Sequence, residues 1–349
     1  MNVMQYITKF LLSLAESGFI PDALIKIAAR YISTRRLNES NNHDNKNEII
    51  NALSQGVVAE KTYDANEQHY EVPPEFFNQV LGVHLKYSCS LFENNNSLDD
   101  AEKSMLQLYI ERAEIKNGQE ILDLGCGWGS FSLYAAKKYP NTNITAISNS
   151  SDQINYIKNE AQKRGLLNIN AIRMDVNNLD LDKKFDRIVS IEMFEHLRNY
   201  KLILNSLNNL LKPDGRLFIH IFCHKKLTYL YELKSNLDWM TKYFFQGGIM
   251  PSKDIFEHFD EDFKIVNQWD INGNHYSKTL KAWLSKHYRN KKKILDIFQG
   301  HYDNPKVWFN RWRIFFLSCE AFFALNNGEE YFVSHYLLEK RDENNTQNH

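Results

Sequence analysis

The sequence predicts an α/β protein with a doubly wound, mostly parallel sheet, helices before the sheet and a helical, aromatic-rich insertion near its end. Short apolar runs alternate with helix-length segments over residues 98–222. A glycine-rich loop follows the first apolar run, and the next segment has a helical pattern. Strands that alternate with helices need crossover connections, which give a parallel sheet covered by helices on both faces.

The predicted elements follow each other in a regular order. The strands are apolar and mostly short, and the helices between them carry apolar residues at helical spacing. We expect strands over 120–124, 144–148, 169–174, 185–191 and 216–222, with helices over 98–113, 130–138, 152–164 and 200–211. Late strands are expected over 263–269 and 331–338. An aromatic-rich insertion at about 224–300 is expected to be mostly helical and to cover the site.

The N-terminal part, residues 1–65, is predicted to be a helical segment that precedes the main domain at 66–349. Apolar residues recur near a helical period on both sides of Pro21, which marks a break between two helices. The Asn-rich stretch 38–47 predicts a loop, and 48–58 a further helix. The segment can be a lid, the arm of a homodimer or a packing helix, and the sequence leaves these alternatives open.

Composition narrows the classes of function. The 349 residues include 42 Lys and Arg against 43 Asp and Glu, so the formal net charge is −1. That balance argues against nucleic-acid binding by phosphate neutralisation. The four cysteines are far apart, which predicts a reducing compartment, no disulfide framework and no metal site. No apolar stretch is long enough to span a bilayer, so we expect a soluble, cytoplasmic protein.

The strongest motif is the loop DLGCGWG at 123–129, between the first strand and the next helix. Its glycines permit a tight turn and the close approach of a ligand. The spacing is GxGxG, which differs from the GxGxxG fingerprint of dinucleotide-binding domains. Asp123 lies four positions before Gly127, and this acidic residue beside a strand–loop–helix unit predicts a cofactor loop.

This loop resembles motif I of class I methyltransferases that depend on S-adenosyl-L-methionine (SAM). The resemblance implies their Rossmann-like fold, SAM as cofactor, and cofactor binding by Asp123, Gly125 and Gly127. Most such enzymes place an acidic residue after the second strand to bind the ribose. Here Asn149 and Gln153 are the candidates for that contact, since an amide can form the same hydrogen bonds. After the third strand the resemblance places Asp175 and Val176 near the adenine, although Asp175 can equally be a turn cap.

A narrower resemblance rests on the segments 85–92, 190–196 and 275–283, together with 70–73 and 326–330. These segments resemble two related families, the cyclopropane fatty acyl phospholipid synthases, including the mycolic acid cyclopropane synthases, and the coclaurine-type N-methyltransferases. Both families imply that Tyr87 and Ser88 contact the methionine end of the cofactor.

The two families imply different chemistry at one position. Cyclopropane synthases hold a bicarbonate, whose ligands would fall on Cys89, Glu195, His220 and Tyr276 and on the backbone of a glycine. This chain has Glu192 at the place of that glycine, and a carboxylate beside a bound anion is costly in an apolar pocket. The stretches 192–200 and 220–225 resemble the N-methyltransferases, whereas Tyr276 resembles the cyclopropane synthases.

The sequence therefore predicts N-methylation of a small amine, with transfer of a methylene to an unsaturated phospholipid acyl chain as the alternative. Glu192, Glu195 and His196 would share one face if a helix begins there. Two carboxylates attract an ammonium group, and an imidazole is suited to take its proton. His220, Tyr276 and Cys89 complete the predicted catalytic set. There are two competing interpretations. The three residues can be the solvated start of a helix, and the protein can bind the cofactor as a non-catalytic interaction module.

Overall fold

The structure is a computed structural model that describes residues 3–40, 46–59, 72–93, 97–233 and 238–341. Its centre is a seven-stranded sheet, and two short strands pair separately. The strands are β1 Glu120–Leu124, β2 Asn143–Ser148, β3 Ile169–Arg173, β4 Phe185–Ile191, β5 Leu211–His224, β6 Tyr229–Leu230, β7 Ile249–Met250, β8 Phe263–Ile271 and β9 Tyr331–Lys340.

The helices precede, connect and follow these strands. They are α1 Val3–Glu16, α2 Asp22–Ser40, α3 Lys46–Ala52, α4 Pro74–Val80, α5 Leu98–Arg112, α6 Ser130–Lys138, α7 Ser151–Lys163, α8 Tyr200–Leu210, α9 Gly273–Arg289, α10 Lys291–Gln299 and α11 Pro305–Phe323. Within the ranges described, no helix has the length and apolar character needed to cross a bilayer.

The strand order in the large sheet is β3-β2-β1-β4-β5-β9-β8. The first five strands in this order are parallel. β9 pairs with β5 and β8 pairs with β9, both in antiparallel orientation. Neighbouring residues of a strand belong to different apolar clusters, such as Ile121 and Leu122, because side chains alternate between the faces of a sheet. The predicted fold class is confirmed.

The strand order reverses between β1 and β4, and this reversal places the functional site. The chain leaves β1 towards one side of the sheet and leaves β4 towards the other, so a crevice opens at their carboxyl ends. The glycine loop follows β1 and the segment 192–196 follows β4. Two motifs that are more than 60 residues apart in sequence therefore meet at one edge of the sheet.

Three regions differ from the sequence prediction. The loop expected at 38–47 is shorter, because α2 continues to Ser40 and α3 begins at Lys46; residues 41–45 lie outside the described ranges. The helix expected over 48–58 ends at Ala52. Packing of α2 along α11 overrides the weak helix propensity of the Asn and Ser residues at its end.

In the described part of the insertion at 224–300, the long helices begin only at Gly273. Its first part contains β6, β7, β8 and short helical turns. Strands β6 and β7 have two residues each, and periodicity cannot distinguish such short apolar runs from buried helix.

The two N-terminal helices are held to α11 by a buried arginine. Arg313 donates from Nε to Asp22 Oδ1 over 2.8 Å and from Nη2 to the carbonyl of Ile20 over 2.6 Å. Arg311 on the same helix forms an ion pair of 3.0 Å with Glu16. The turn between α1 and α2 is thus fixed by charged hydrogen bonds in addition to apolar packing.

Replacing Asp22 with Ala should destabilise this attachment. The substitution leaves the guanidinium of Arg313 without its carboxylate, and a hydrogen bond to a charged group contributes about 1.5–3 kcal/mol. We expect a lower midpoint of thermal unfolding and faster amide hydrogen exchange over residues 6–38. The exposed Asp182→Ala is the matched control. Equal exchange in both variants would contradict the assigned role of the Arg313 contact.

Candidate active site

Two adjoining pockets lie where β1 and β4 end. The first is lined by residues after β2 and β3, including Asn149, Met174 and Val176. The second is lined by residues before the sheet and after β1, including Tyr87 and Ser88. The two pockets share Gly125, Gly127, Gln153 and Glu192. They form one elongated cleft, as a ligand made of a nucleoside and an amino acid requires. From the contacts predicted for Asn149 and Tyr87, we call the first the nucleoside-side pocket and the second the methionine-side pocket.

The glycine loop has the backbone that the sequence predicted. Gly125 has φ of +78° and Gly127 has φ of +51°, values that side chains disfavour. A Cβ atom on Gly125 would lie 2.6 Å from Cγ of Met193, so the loops after β1 and β4 pack directly together. A Cβ on Gly127 would meet nothing within 4 Å, which leaves open space above the loop.

Gln153 offers a polar group to a ligand. Its Oε1 accepts a hydrogen bond of 2.7 Å from Ser148, and its buried Nε2 has no partner among the described residues. Buried polar atoms are normally paired, so the free amide donor in the cleft fits an acceptor on the cofactor. Asn149 lines the same pocket. The residues present fit SAM, with both amides on the side where the ribose contact is predicted.

Asp123 and Asp175 occupy different environments. Asp123 lines the methionine-side pocket, and its carboxylate accepts a 2.6 Å hydrogen bond from Ser132. Burial raises the pKa of Asp123 to about 7. Asp175 caps a short turn by accepting from the backbone of Asn177 over 2.9 Å. Val176, the next residue, lines the nucleoside-side pocket. Asp175 occupies the turn-cap position that the sequence left open as an alternative.

Glu192 follows β4 in a conformation that is rare for its residue type. Its φ is +47°, in the left-handed region that favours glycine, and its backbone N–H donates to the carbonyl of His220 over 2.8 Å. Only Phe194–His196 form a short helical turn. The condition for a helical face shared by the two glutamates and His196 is therefore not met, because Glu192 lies outside the turn in a left-handed conformation.

Three donors converge on the carboxylate of Glu192. Its Oε1 accepts from the backbone N–H of Cys89 over 2.9 Å and lies 3.0 Å from Nε2 of His220. Its Oε2 accepts a 2.6 Å hydrogen bond from the hydroxyl of Tyr276. Cys89 contributes its backbone, since burial holds the pKa of its thiol well above the usual range.

The donors around Glu192 include three of the groups that the cyclopropane-synthase resemblance assigned to bicarbonate. In this chain a tethered carboxylate takes up those hydrogen bonds, so the residues do not fit a bicarbonate ion at the same place. Glu195, the fourth expected ligand, forms no hydrogen bond with this group among the described residues.

A buried lysine supplies positive charge near Glu192. Lys86 is 1% exposed, and its ammonium donates to Oγ of Ser88 over 2.6 Å and to the carbonyl of Cys89. Burial lowers the pKa of Lys86 to about 8, and the charge of Glu192 acts in the opposite direction. Burial likewise raises the pKa of Glu192, and the charge of Lys86 opposes that shift. Each charge favours the ionised form of the other group and opposes the effect of burial.

Glu195 and His196 lie on the other side of Glu192. Glu195 is 1% exposed, and both carboxyl oxygens lack a hydrogen-bond partner in the described part of the chain. Burial, then the charge of Glu192, raises the pKa of Glu195 well above its ordinary value. His196 lines the nucleoside-side pocket, and burial lowers its pKa to about 4. At neutral pH the imidazole is thus uncharged, and the shift of Glu195 favours its protonated form.

Aromatic rings continue from His196 into the insertion. The ring of His196 is nearly parallel to that of Phe245, with centroids 6.5 Å apart and an interplanar angle of 9°. Phe245 in turn stacks on Tyr231 at 5.1 Å. We call His196, Phe245 and Tyr231 the aromatic wall. It extends from His196, which lines the cleft, to Tyr231.

Sequence reasoning missed the residues behind His220. Its Nδ1 lies 2.9 Å from the hydroxyl of Tyr109 and 2.9 Å from Nε2 of His335. Nδ1 of His335 lies 2.8 Å from a guanidinium nitrogen of Arg112. These residues lie on α5 and β9, more than 100 positions from His220 along the chain, and no motif in the sequence marks them.

Comparison with known proteins agrees with this geometry. Residues 22–331 match the family described as mycolic acid cyclopropane synthetase. The (S)-coclaurine N-methyltransferase of Thalictrum flavum subsp. glaucum is 38% identical over 345 residues, which cover 95% of each chain. The cyclopropane-fatty-acyl-phospholipid synthase of Escherichia coli strain K12 is 28% identical over 229 residues, 65% of this chain and 57% of that protein.

Solved structures show the same relationship. A crystal structure of a coclaurine N-methyltransferase bound to N-methylheliamine and SAH has a TM-score of 0.90 and 37% identity, and the match covers 95% of this chain and 99% of that one. The cyclopropane synthase MmaA2 of Mycobacterium tuberculosis shares the fold, with a TM-score of 0.69, 20% identity and coverage of 81% and 99%. The chain belongs to the mycolic acid cyclopropane synthetase family, and it is a SAM-dependent methyltransferase that resembles the N-methyltransferases of that family more closely than its cyclopropane synthases.

Proposed function

We propose that the protein methylates the nitrogen of a small amine carried on an aromatic ring system, and that Glu192, Glu195 and His196 handle the ammonium group and its proton. The observation that carries this proposal is the buried carboxyl of Glu195, whose oxygens have no hydrogen-bond partner among the described residues, beside an anchored carboxylate and an uncharged imidazole. The relatives named for coclaurine and pavine support an amine substrate of this kind.

Bound SAM supplies an electrophilic methyl group on a sulfonium. An amine that enters as an ammonium ion has no free lone pair, so the site has to remove a proton first. His196 is uncharged at neutral pH and lines the cleft, so it accepts that proton at a ring nitrogen. The negative charge of Glu192 favours the imidazolium that forms and opposes the effect of burial, which lowers the pKa of His196 to about 4.

The two glutamates have different roles because their environments differ. The oxygens of Glu192 are held by three donors, so this carboxylate is a fixed negative charge that attracts the substrate cation and orients it. Glu195 has no hydrogen-bond donor on its carboxyl oxygens among the described residues, and burial with the charge of Glu192 favours its protonated form. The positive charge of a bound ammonium ion favours the ionised form, and the carboxyl proton then passes to water. Removing either carboxyl group should weaken transition-state stabilisation more than substrate binding, since both act on the reacting nitrogen.

The aromatic wall matches the rest of such a substrate. A cation over an aromatic face contributes about 0.5–2 kcal/mol, and a flat ring gains from offset stacking. Phe222 packs edge-on against Phe245 at 6.0 Å and fixes the ring nearest to His196. The acceptor therefore meets rigid aromatic faces next to the acidic pair.

The alternative function, methylene transfer to an unsaturated phospholipid, is tested directly by the products. Purified protein is incubated with methyl-labelled SAM, a panel of aromatic-ring amines and unsaturated phospholipid vesicles. We expect label in the amine fraction. Label that appears only in the lipid would overturn the proposal.

Glu192→Gln should lower kcat/KM for the amine by about 10²–10³, within the usual range for loss of a group that acts on a transferred proton. The amide of the glutamine also places an N–H group opposite donors from which the carboxylate accepts hydrogen bonds. Steady-state kinetics with labelled SAM measures the effect, and calorimetry with S-adenosylhomocysteine reports cofactor binding, which should change less than tenfold.

Two further variants make the Glu192 experiment specific. Glu192→Gly removes the carboxylate without backbone strain, because glycine tolerates the left-handed φ. It should be as inactive as Glu192→Gln and at least as stable. The exposed Glu257→Gln is the matched control. Near-normal amine methylation by the glycine variant would exclude the role proposed for Glu192.

His196→Ala should have a pH-dependent effect. At pH 7 the substrate is an ammonium ion and the variant has lost its proton acceptor, so kcat/KM should fall about 100-fold. Above the pKa of the amine, free amine reaches the site, and the loss should shrink to less than about tenfold. The comparison is a pH–rate profile of both enzymes, with His258→Ala as the control. A loss that is equal at both pH values would rule out proton transfer to His196.

A further inference from the structure

We propose that Arg112, His335 and His220 form a directional chain of hydrogen bonds that fixes the tautomers of both imidazoles and holds an N–H group towards Glu192. They are positioning residues, because they act on the proposed site through the carboxylate of Glu192. The inference deepens the proposed function, and its kinetic part rests on that function.

The chain consists of three consecutive contacts. A guanidinium nitrogen of Arg112 lies 2.8 Å from Nδ1 of His335, and Nε2 of His335 lies 2.9 Å from Nδ1 of His220. Nε2 of His220 lies 3.0 Å from Oε1 of Glu192. Both histidines are fully buried. All three contacts have ordinary hydrogen-bond lengths, and they connect α5, β9 and β5 to the residue after β4.

The arginine sets the direction of the chain. A guanidinium only donates, so Nδ1 of His335 has to accept and cannot carry a proton. The remaining nitrogen of His335 then carries the proton and donates to Nδ1 of His220. That leaves the proton of His220 on Nε2, where it points at the carboxylate of Glu192. One charged residue thereby determines two tautomers and the donor at the site.

The reverse arrangement is excluded by donor conflict. If His220 carried its proton on Nδ1, His335 would have to accept at Nε2 and carry its own proton on Nδ1. That proton would face the N–H of Arg112 over 2.8 Å, and two donors would meet in a buried site. His220 would also turn a lone pair towards the carboxylate. Protonating both nitrogens of either ring creates a comparable conflict with the next donor.

Neighbouring groups keep both rings uncharged and the arginine in place. Burial lowers the pKa of His220 and of His335 well below the usual value, and the charges of Lys86 and Arg112 act in the same direction. The guanidinium of Arg112 lies over the ring of Trp269, 4.9 Å from its centroid. The hydroxyl of Tyr109 shares the lone pair on Nδ1 of His220 and adds a second donor there.

The N–H group of His220 therefore donates to Glu192 at every pH at which both imidazoles stay uncharged. Burial favours the protonated form of this carboxyl, and each fixed donor favours the ionised form. Other titratable groups that face Glu192 also influence its charge. They are Lys86, Cys89, Tyr109, Glu195, His196, Tyr276 and Cys319.

The tautomers can be measured without any substrate. Protein labelled with ¹⁵N-histidine and bound to S-adenosylhomocysteine is studied by long-range ¹H–¹⁵N correlation NMR at pH 7.5. His220→Asn and His335→Asn assign the two rings. We expect both rings to be uncharged with the proton on Nε2, and to stay so down to about pH 5. A charged ring at pH 7.5, or a proton on Nδ1, would overturn the inference.

The kinetic test uses variants that keep or break the donor pattern. Arg112→Met and His335→Met break it, and each should lower kcat for the amine about 10–100-fold, with the acid limb of the pH profile moved to higher pH. Arg112→Lys and His335→Gln keep a donor or a donor–acceptor pair and should retain most of the activity. The exposed Arg164→Met is the control.

The double variant Arg112→Met/His335→Met distinguishes a chain from separate effects. Residues that act in one chain should lose no more together than either loses alone. Additive losses, or breaking variants that keep the wild-type pH profile, would refute the inference. If the wild-type protein methylates no amine while the NMR shows both Nε2 tautomers, the proposed function fails and the chain of hydrogen bonds stands.

Discussion

The site depends on how this protein holds the carboxylate of Glu192 in an apolar pocket. A buried carboxylate is costly unless donors and opposite charge compensate for lost hydration. Here a backbone N–H, an imidazole and a phenol reach its two oxygens, and the ammonium of Lys86 lies nearby. Because both oxygens of this carboxylate are hydrogen-bonded, its position is fixed, and its charge influences the pKa values of Glu195 and His196.

The fold assembles these donors from distant parts of the chain. The reversal of strand order between β1 and β4 opens the cleft, and the left-handed backbone at Glu192 turns its side chain into it. A glutamate in that conformation is strained by about 1–3 kcal/mol, which the surrounding hydrogen bonds offset. The strain shows why glycine is the natural residue at such a point, and why the carboxylate here has to be held so firmly.

Environment gives chemically similar residues different proton affinities. Glu192 and Glu195 are three positions apart, yet one has three donors and the other has none among the described residues. The charge of the first raises the proton affinity of the second, as expected for close carboxyl groups. The imidazole of His196 is uncharged beside them. In the proposed function, this division separates binding of a cation from transfer of its proton.

The amino-acid sequence alone determined the alternation of strands and helices from β1 to β5, the glycine loop and the cofactor. It also predicted 192, 195, 196, 220 and 276 as site residues. Those features follow from local periodicity, from glycine's backbone freedom and from motif resemblance. It could not determine that Glu192 binds Tyr276 and His220, that Cys89 acts through its backbone, or that Asp175 caps a turn. It also gave no sign of Arg112, Tyr109 and His335. Such contacts depend on the conformation of one residue at a strand end and on which distant strands become neighbours, so only the tertiary structure decided them.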